Sequence, residues 1–145
     1  MLKRLIFAIL PFLFAAQALA LDTPFISGGT TLPSVSATNY GYAMGNLNTW
    51  NATETAVQNI AGIAGTGKNL YVEVGTAPGS GNTWDVTLMY DGSATGVTCQ
   101  IADTATSCND TTHTFAVTAG GKLSVRVVPA STPDSPVTFR TGWVL

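Results

Sequence analysis

The chain is 145 residues long; 46 % of its residues are apolar, 10 % are charged, and its net charge is −2. An apolar fraction this high excludes a disordered chain, and the length suits one domain. Only six residues are basic, and the four that lie after residue 20 form no cluster, which argues against a binding surface for nucleic acid or for anionic membranes.

Residues 1–20 have the pattern of a secretory signal peptide. Lys3 and Arg4 form a basic start, an apolar run follows, and an Ala-Leu-Ala sequence ending at Ala20 marks the expected cleavage site. A membrane anchor is the alternative, but Pro11 interrupts the apolar run, which is shorter than the roughly 20 residues of a spanning helix. We expect an exported protein that is secreted, periplasmic or at the cell surface, with no membrane span after cleavage.

Without the signal peptide, four basic and eight acidic residues remain, so the net charge of the exported chain becomes −4. Its two cysteines, Cys99 and Cys108, would lie in an oxidising compartment, where an isolated pair most simply forms a disulfide bond. Zinc ligation is the alternative, but one histidine and two cysteines do not supply four ligands. We predict no metal site and no cofactor.

Residues 21–51 are rich in Gly, Thr, Ser and Pro, and we interpret them as an extended N-terminal arm leading into a domain at residues 52–145. Residues 55–63 have apolar side chains at helix-like spacing, but the Gly, Thr and Asn residues among them favour a strand or an irregular segment. No long helix is expected after the signal peptide.

In the rest of the domain, apolar residues recur at every second position, which is typical of strands with one buried face. The alternating sets are Leu70, Val72 and Val74; Trp84, Val86, Leu88 and Tyr90; Val97, Cys99 and Ile101; His113, Phe115 and Val117; Leu123, Val125 and Val127; and Val137, Phe139 and Trp143. Turn-forming residues separate these sets, and Asp91-Gly92 is the sharpest hairpin signal. The pattern predicts an all-β protein, an antiparallel β-sandwich with jelly-roll or immunoglobulin-like topology.

Four segments of residues 69–133 follow in a recognisable order: NLYV, then APGSG, then TSCNDTTH, and finally AGGKLSVRVVP. Together they resemble a β-sandwich module that recurs in bacteriophage particle proteins and in bacterial exported proteins. The resemblance implies a sandwich for more than half of the exported chain and continues in looser form to Leu145. It implies no catalytic residue, and it adds a phage-derived virion decoration or fibre module to the functional alternatives.

Few residues are candidates for catalysis. His113 is the one histidine, and Asp103 and Asp110 lie near it in sequence. His113 shares the apolar alternation of Phe115 and Val117, and no serine lies in a nucleophile motif, so we interpret it as structural. The acidic residues lie mostly in separate turns or outward on strands, unlike the paired carboxylates of a glycosidase. We predict no catalytic site and a protein that is not an enzyme.

Four aspartates in predicted loops could offer oxygen ligands to calcium: Asp91, Asp103, Asp110 and Asp134. None belongs to a D-x-[DN]-x-[DN]-G pattern. Asp is common in turns because its side chain hydrogen-bonds to the local backbone, so we interpret these residues as turn formers.

Four aromatic residues are candidates for sugar binding, because they lie off the apolar strand faces or in the predicted arm: Tyr40, Tyr42, Trp50 and Tyr71. Flat exposed rings beside polar side chains suit a glycan platform. The alternative is that these rings pack the arm against the sandwich or against another subunit.

The favoured hypothesis is a non-enzymatic structural or adhesive module, secreted or displayed at the surface, that forms homo-oligomers or binds a cell-surface glycan or protein. One variant is strand donation, in which residues 21–51 add to a neighbour's sheet edge. A carbohydrate-binding domain is the second hypothesis, and an enzyme is the third.

Overall fold

A computed structural model describes residues 22–145, so the predicted signal peptide at residues 1–20 lies outside the described part of the chain. The described residues form ten strands, numbered here in chain order: β1 Pro24–Gly29, β2 Asn39–Tyr42, β3 Gly45–Asn46, β4 Asn59–Ile60, β5 Gly65–Val74, β6 Gly79–Tyr90, β7 Ser93–Asp103, β8 Ser107–Val117, β9 Lys122–Ala130 and β10 Phe139–Val144. Among them lies one 3₁₀ turn, at Glu54–Ala56. No helix in this part of the chain is long and apolar enough to cross a membrane.

The strands form two sheets that enclose a common hydrophobic core. The first sheet has the order β3-β1-β10-β5-β8, and the second has the order β2-β9-β6-β7, with β4 also paired to β9. Every pair of strands is antiparallel except β1 and β3, whose short pairing is parallel. The prediction of an all-β antiparallel sandwich is confirmed.

The core lies between the two sheets. It consists of the apolar side chains that recur at every second position of the strands. Alternate residues of three central strands point inward and are almost fully buried: Leu70, Val72 and Val74 of β5, Trp84, Val86 and Leu88 of β6, and Leu123, Val125 and Val127 of β9. Burial of each aliphatic side chain stabilises the fold by roughly 1.5–3 kcal/mol relative to its exposure, which makes these faces the main source of stability.

The turn between β6 and β7 is the hairpin predicted from Asp91-Gly92. Asp91 has a φ of 47° and Gly92 has a φ of 80°, so both central residues are left-handed, as a type I′ turn requires. Tyr90 and Ser93 pair directly across the turn. A two-residue connection is sufficient because the twist of this turn type matches that of the two strands.

The structure corrects the interpretation of residues 21–51 as an arm. β1 lies inside the first sheet, between β3 and β10, and β2 is a strand of the second sheet. The ring of Phe25 stacks on Trp143 with centroids 4.7 Å apart. Ser27 and Thr141, 114 positions apart in sequence, share a buried hydrogen bond of 2.6 Å between their hydroxyl oxygens. No local pattern reveals such a distant pairing.

A bulge in β8 changes which of its residues face the core. Leu70 pairs with Asp110 and Lys68 with Thr114, so one residue of β5 lies opposite three residues of β8. His113 lies within the bulge, and 64 % of its side chain is exposed. The expectation that His113 shares the buried face of the apolar residues after it is therefore wrong. Asp110, expected in a turn, is a buried strand residue instead.

A disulfide bond joins the edges of the two sheets. β8 is an edge strand of the first sheet and β7 is an edge strand of the second. Cys99 of β7 is bonded to Cys108 of β8, with the two Cα atoms 5.8 Å apart, which confirms the predicted pair. The bond closes one side of the sandwich.

Candidate binding surface on the first sheet

Exposed apolar side chains are grouped on the outer side of the first sheet. Five large apolar side chains are exposed in residues 22–145, and Ile26, Tyr71 and Val137 lie on this side. The other two, Ile60 and Ile63, lie on β4 and in the loop after it. Single exposed apolar residues are ordinary, but a group on one face indicates an interaction surface.

Strand register decides which side chains are neighbours on this face. Ile26 of β1 is opposite Gly142 of β10, Gly142 is opposite Tyr71 of β5, and Tyr71 is opposite Asn109 of β8. These four residues form one row across four strands. The next row contains, in the same strand order, Gly28, Arg140, Glu73 and Ser107.

A groove of about 380 Å³ lies over Gly142, with Ile26 and Tyr71 as its walls. The groove is open over Gly142 because glycine has no side chain. Within 4 Å, a Cβ at this position would meet only the backbone oxygen of Phe25, at 3.9 Å. Ile26 is on β1 and Tyr71 is on β5, and β10 lies between these strands. The walls therefore stand two strand spacings apart, and each spacing is about 4.8 Å. Ile26 is 73 % exposed and Tyr71 is 54 % exposed, so a ligand can reach both walls.

An ion pair forms one rim of the groove. Arg140 Nη1 donates to Glu73 Oε1 at 2.6 Å, and more than half of each side chain is exposed. The two charges cancel locally, and an exposed pair of this kind contributes little to stability. Its donors and acceptors can therefore exchange water for the polar groups of a ligand. Asn109 and Ser107 add an amide and a hydroxyl to the lining.

Val137 extends the apolar area beyond the ion pair. Its side chain lies over Gly75, and Gly75 N donates to Thr138 O at 3.0 Å. The alternation in the sequence predicts that Val137 is buried together with Phe139 and Trp143. This prediction is wrong, because Val137 precedes β10 and lies over the end of β5 rather than between the sheets.

The structure separates the four aromatic residues that were candidates for a sugar platform. Tyr71 lines the groove on the first sheet. Tyr40 and Tyr42 lie half-buried on β2 of the second sheet, on the side opposite the buried residue between them. Trp50 packs edge-on against Phe139 of the core, with centroids 5.2 Å apart. The four rings therefore form no common platform.

Four residues of the groove carry no distinguishing signal in the sequence: Ile26, Asn109, Arg140 and Gly142. Glu73 and Tyr71 are recognisable as outward residues of an alternating strand, but their neighbours come from three other strands. The order of those strands in the sheet is what brings the groove together.

A second polar cluster surrounds Asp110 at the edge of the first sheet. The carboxylate accepts the backbone N–H groups of Thr98, Thr112 and His113 at 3.0–3.1 Å, and His113 Nδ1 lies 2.9 Å from it. Burial alone would raise the pKa of Asp110, but these hydrogen bonds outweigh burial and hold the pKa well below its ordinary value. The acceptor positions are used by the protein itself, which gives the cluster a structural role.

Two of the aspartates considered for calcium accept backbone hydrogen bonds from residues distant in sequence. Asp91 Oδ1 accepts the backbone N–H of Lys122 at 2.8 Å, and Asp103 Oδ1 accepts that of Gly81 at 2.7 Å. Both residues have the left-handed backbone of a turn residue, with φ values of 47° and 54°. Each carboxylate, however, bonds to a strand residue 31 or 22 positions away in sequence and not, as was predicted, to the local backbone. Within residues 22–145, no three His, Cys, Asp or Glu side chains are grouped so that they could hold a metal ion.

No family model matches the chain, and a search of curated proteins found no match. The resemblance of residues 69–133 to a module of phage particles and exported proteins stays a prediction. Function is therefore inferred from the surface of the molecule.

Proposed function

We propose that this chain is a non-enzymatic adhesive module, secreted or displayed at the cell surface, which attaches to its partner through the outer face of the first sheet. The observation that carries the proposal is the exposure of Ile26, Tyr71 and Val137 on one side of the sandwich. Apolar side chains grouped on one face of a small domain favour a binding partner there, because contact removes them from water.

The position of the groove within the sheet supports attachment by a rigid surface. Tyr71 lies on β5 and Gly142 on β10, and each of these strands is paired on both sides. Side chains on paired central strands are held in place before a ligand arrives, which lowers the entropy lost on binding.

The Cys99–Cys108 disulfide supports a location outside the cytoplasm, because such bonds persist in oxidising compartments. The signal-peptide pattern at residues 1–20 supports the same location.

Adhesion can be measured with beads that carry the purified protein, under flow over surfaces coated with cellulose, chitin, mucin, gelatin or the protein itself. We expect retention on at least one surface. A double variant that removes both groove walls, Ile26→Ser with Tyr71→Ser, should reduce the retained fraction at least about tenfold, since the buried apolar contact is lost.

The matched control is Ile60→Ser with Ile63→Ser, whose side chains are 68 % and 55 % exposed, close to the 73 % and 54 % of Ile26 and Tyr71. This control should keep its retention. The proposal fails if the beads adhere to none of the surfaces, or if both double variants lose adhesion equally. Retention on the protein-coated surface alone would identify self-assembly as the form of adhesion.

A further inference from the structure

We infer that the groove over Gly142 is a binding site for one neutral pyranose ring, with Tyr71 as its stacking platform. This inference rests on the proposed function and names the class of ligand at the same surface. Its starting point is the shape of the site: a glycine floor between an aromatic wall and an aliphatic wall, open to solvent above.

The volume of the groove fits a small ligand unit. About 380 Å³ lies at the lower end of the roughly 300–1,000 Å³ of small-molecule sites. Gly142 of β10 lies between Ile26 and Tyr71 and has no side chain, so an open slot lies over β10 between these two side chains. A slot of this width admits a single ring with its flat side against the tyrosine.

The lining has the mixed chemistry that a sugar requires. A pyranose has an apolar C–H face, which packs on an aromatic ring, and a hydroxylated edge, which needs donors and acceptors. Tyr71 and Ile26 offer the apolar contacts. Arg140 offers N–H donors, Glu73 offers carboxylate acceptors, and Asn109 offers both. These polar residues stand beside the aromatic wall, where the edge of a stacked ring would lie.

The charge of the site favours a neutral sugar over an acidic one. Arg140 and Glu73 neutralise each other at 2.6 Å, so the groove presents no unpaired cation to a carboxylate or a sulfate. The exported chain carries a net charge of −4, which would repel an acidic polysaccharide. A ligand with hydroxyl groups and no charge matches both observations.

The inference is tested by titrating the ¹⁵N-labelled protein with neutral hexasaccharides of glucose, mannose and N-acetylglucosamine, and separately with hexagalacturonate. We expect at least one neutral hexasaccharide to shift the backbone amide signals of Ile26, Tyr71 and Gly142. Hexagalacturonate should cause much smaller shifts at these signals at equal concentration.

Three variants assign the contacts, and a fourth serves as the control. Tyr71→Ala should weaken the dissociation constant about tenfold or more, whereas Tyr71→Phe should bind nearly as wild type because the ring face remains. Gly142→Val should abolish binding by filling the slot, and the open space above Gly142 allows the variant to fold. Ile63→Ala, at the other apolar site, should change nothing.

The outcomes separate this inference from the proposed function. Bead adhesion that depends on Ile26 and Tyr71, with no sugar shifting the Gly142 signal, would overturn the inference and leave adhesion standing. Equal shifts with hexagalacturonate would overturn the neutral-sugar assignment. Shifts at the same residues caused by raising the protein concentration alone would identify a second copy of the chain as the occupant and also overturn it. Failure of both adhesion and titration would reject both proposals.

Discussion

Asp110 of β8 accepts the backbone N–H of Thr98 of β7 at 3.0 Å, so a buried carboxylate of one sheet is bonded to the edge strand of the other. The Cys99–Cys108 bond joins the same two strands nearby. The edges of a sandwich are where strands are least supported, because each edge strand has one hydrogen-bonded neighbour in its own sheet. The carboxylate and the disulfide together hold this side closed.

Replacement of Asp110 should destabilise the protein in a pH-dependent way. Asp110→Asn keeps the shape but points an amide at N–H donors, and it should lower the free energy of unfolding by roughly 2–3 kcal/mol at pH 7. Because the pKa of Asp110 is depressed in the folded state, its contribution is present above the unfolded pKa of about 3.9 and is lost as pH falls further. The difference between wild type and variant should therefore shrink below about pH 4.

Urea denaturation at pH 7, 5, 3 and 2 measures this dependence. Asp103→Asn is the control, since Asp103 is exposed and accepts one backbone hydrogen bond, from Gly81. If the difference in the free energy of unfolding between the wild type and Asp110→Asn stays constant down to pH 2, the charge of Asp110 is not what stabilises the sheet edges.

Removal of the disulfide should weaken the same edge. Cys99 and Cys108 are nine positions apart in sequence. The bond between them limits the conformations of the unfolded chain, and for a loop this short the limit raises the free energy of unfolding by about 2–3 kcal/mol. The double variant Cys99→Ser with Cys108→Ser should show this loss in thermal and urea denaturation. Addition of a thiol reductant to the wild type should produce a similar loss, and it should leave the double variant unchanged. Equal stability of wild type and variant would contradict the prediction.

Gly67 is an inward position that accepts no side chain. A Cβ there would overlap the ring of Phe115, which packs against the core. Gly67→Ala should therefore lower the free energy of unfolding by about 1–3 kcal/mol. Gly142→Ala on the neighbouring strand is the matched control, because a Cβ there has open space, and it should leave stability unchanged or slightly raised. Urea denaturation measures the free energy of unfolding of both variants. If Gly67→Ala is as stable as the wild type, the prediction is wrong and the ring of Phe115 moves aside at little cost in free energy.

Arg126 of β9 should be replaceable with a gain in stability. Its Nε is buried and has no hydrogen-bond partner among residues 22–145, and its Nη2 reaches Thr87 Oγ1 only at 3.5 Å. A buried unsatisfied donor costs about 1–3 kcal/mol, so Arg126→Met, which keeps the apolar stem, should raise the free energy of unfolding by up to about 1 kcal/mol. Arg140→Met, at an exposed ion pair, is the control and should change stability little. A clear loss in Arg126→Met would reveal a partner for the guanidinium.

The sequence by itself determined the local features of this protein. Alternation decided the inward faces of β5, β6 and β9, because side chains of a strand point to opposite sides at every step. The chemistry of Asp91-Gly92 decided the tightest turn. The export pattern made a disulfide the simplest state of the two cysteines.

Only the tertiary structure decided the features that depend on distant pairing. β1 and β10 lie at opposite ends of the chain, so their pairing, and with it the row from Ile26 to Asn109, follows from strand order rather than from any local pattern. The bulge of β8 moved His113 outward because three residues of β8 lie opposite one residue of β5, a relation that neither strand shows alone. The groove also depends on strand order: Gly142 is an ordinary strand residue in the sequence, and it becomes the floor of a groove only because Ile26 and Tyr71 stand on the strands on either side.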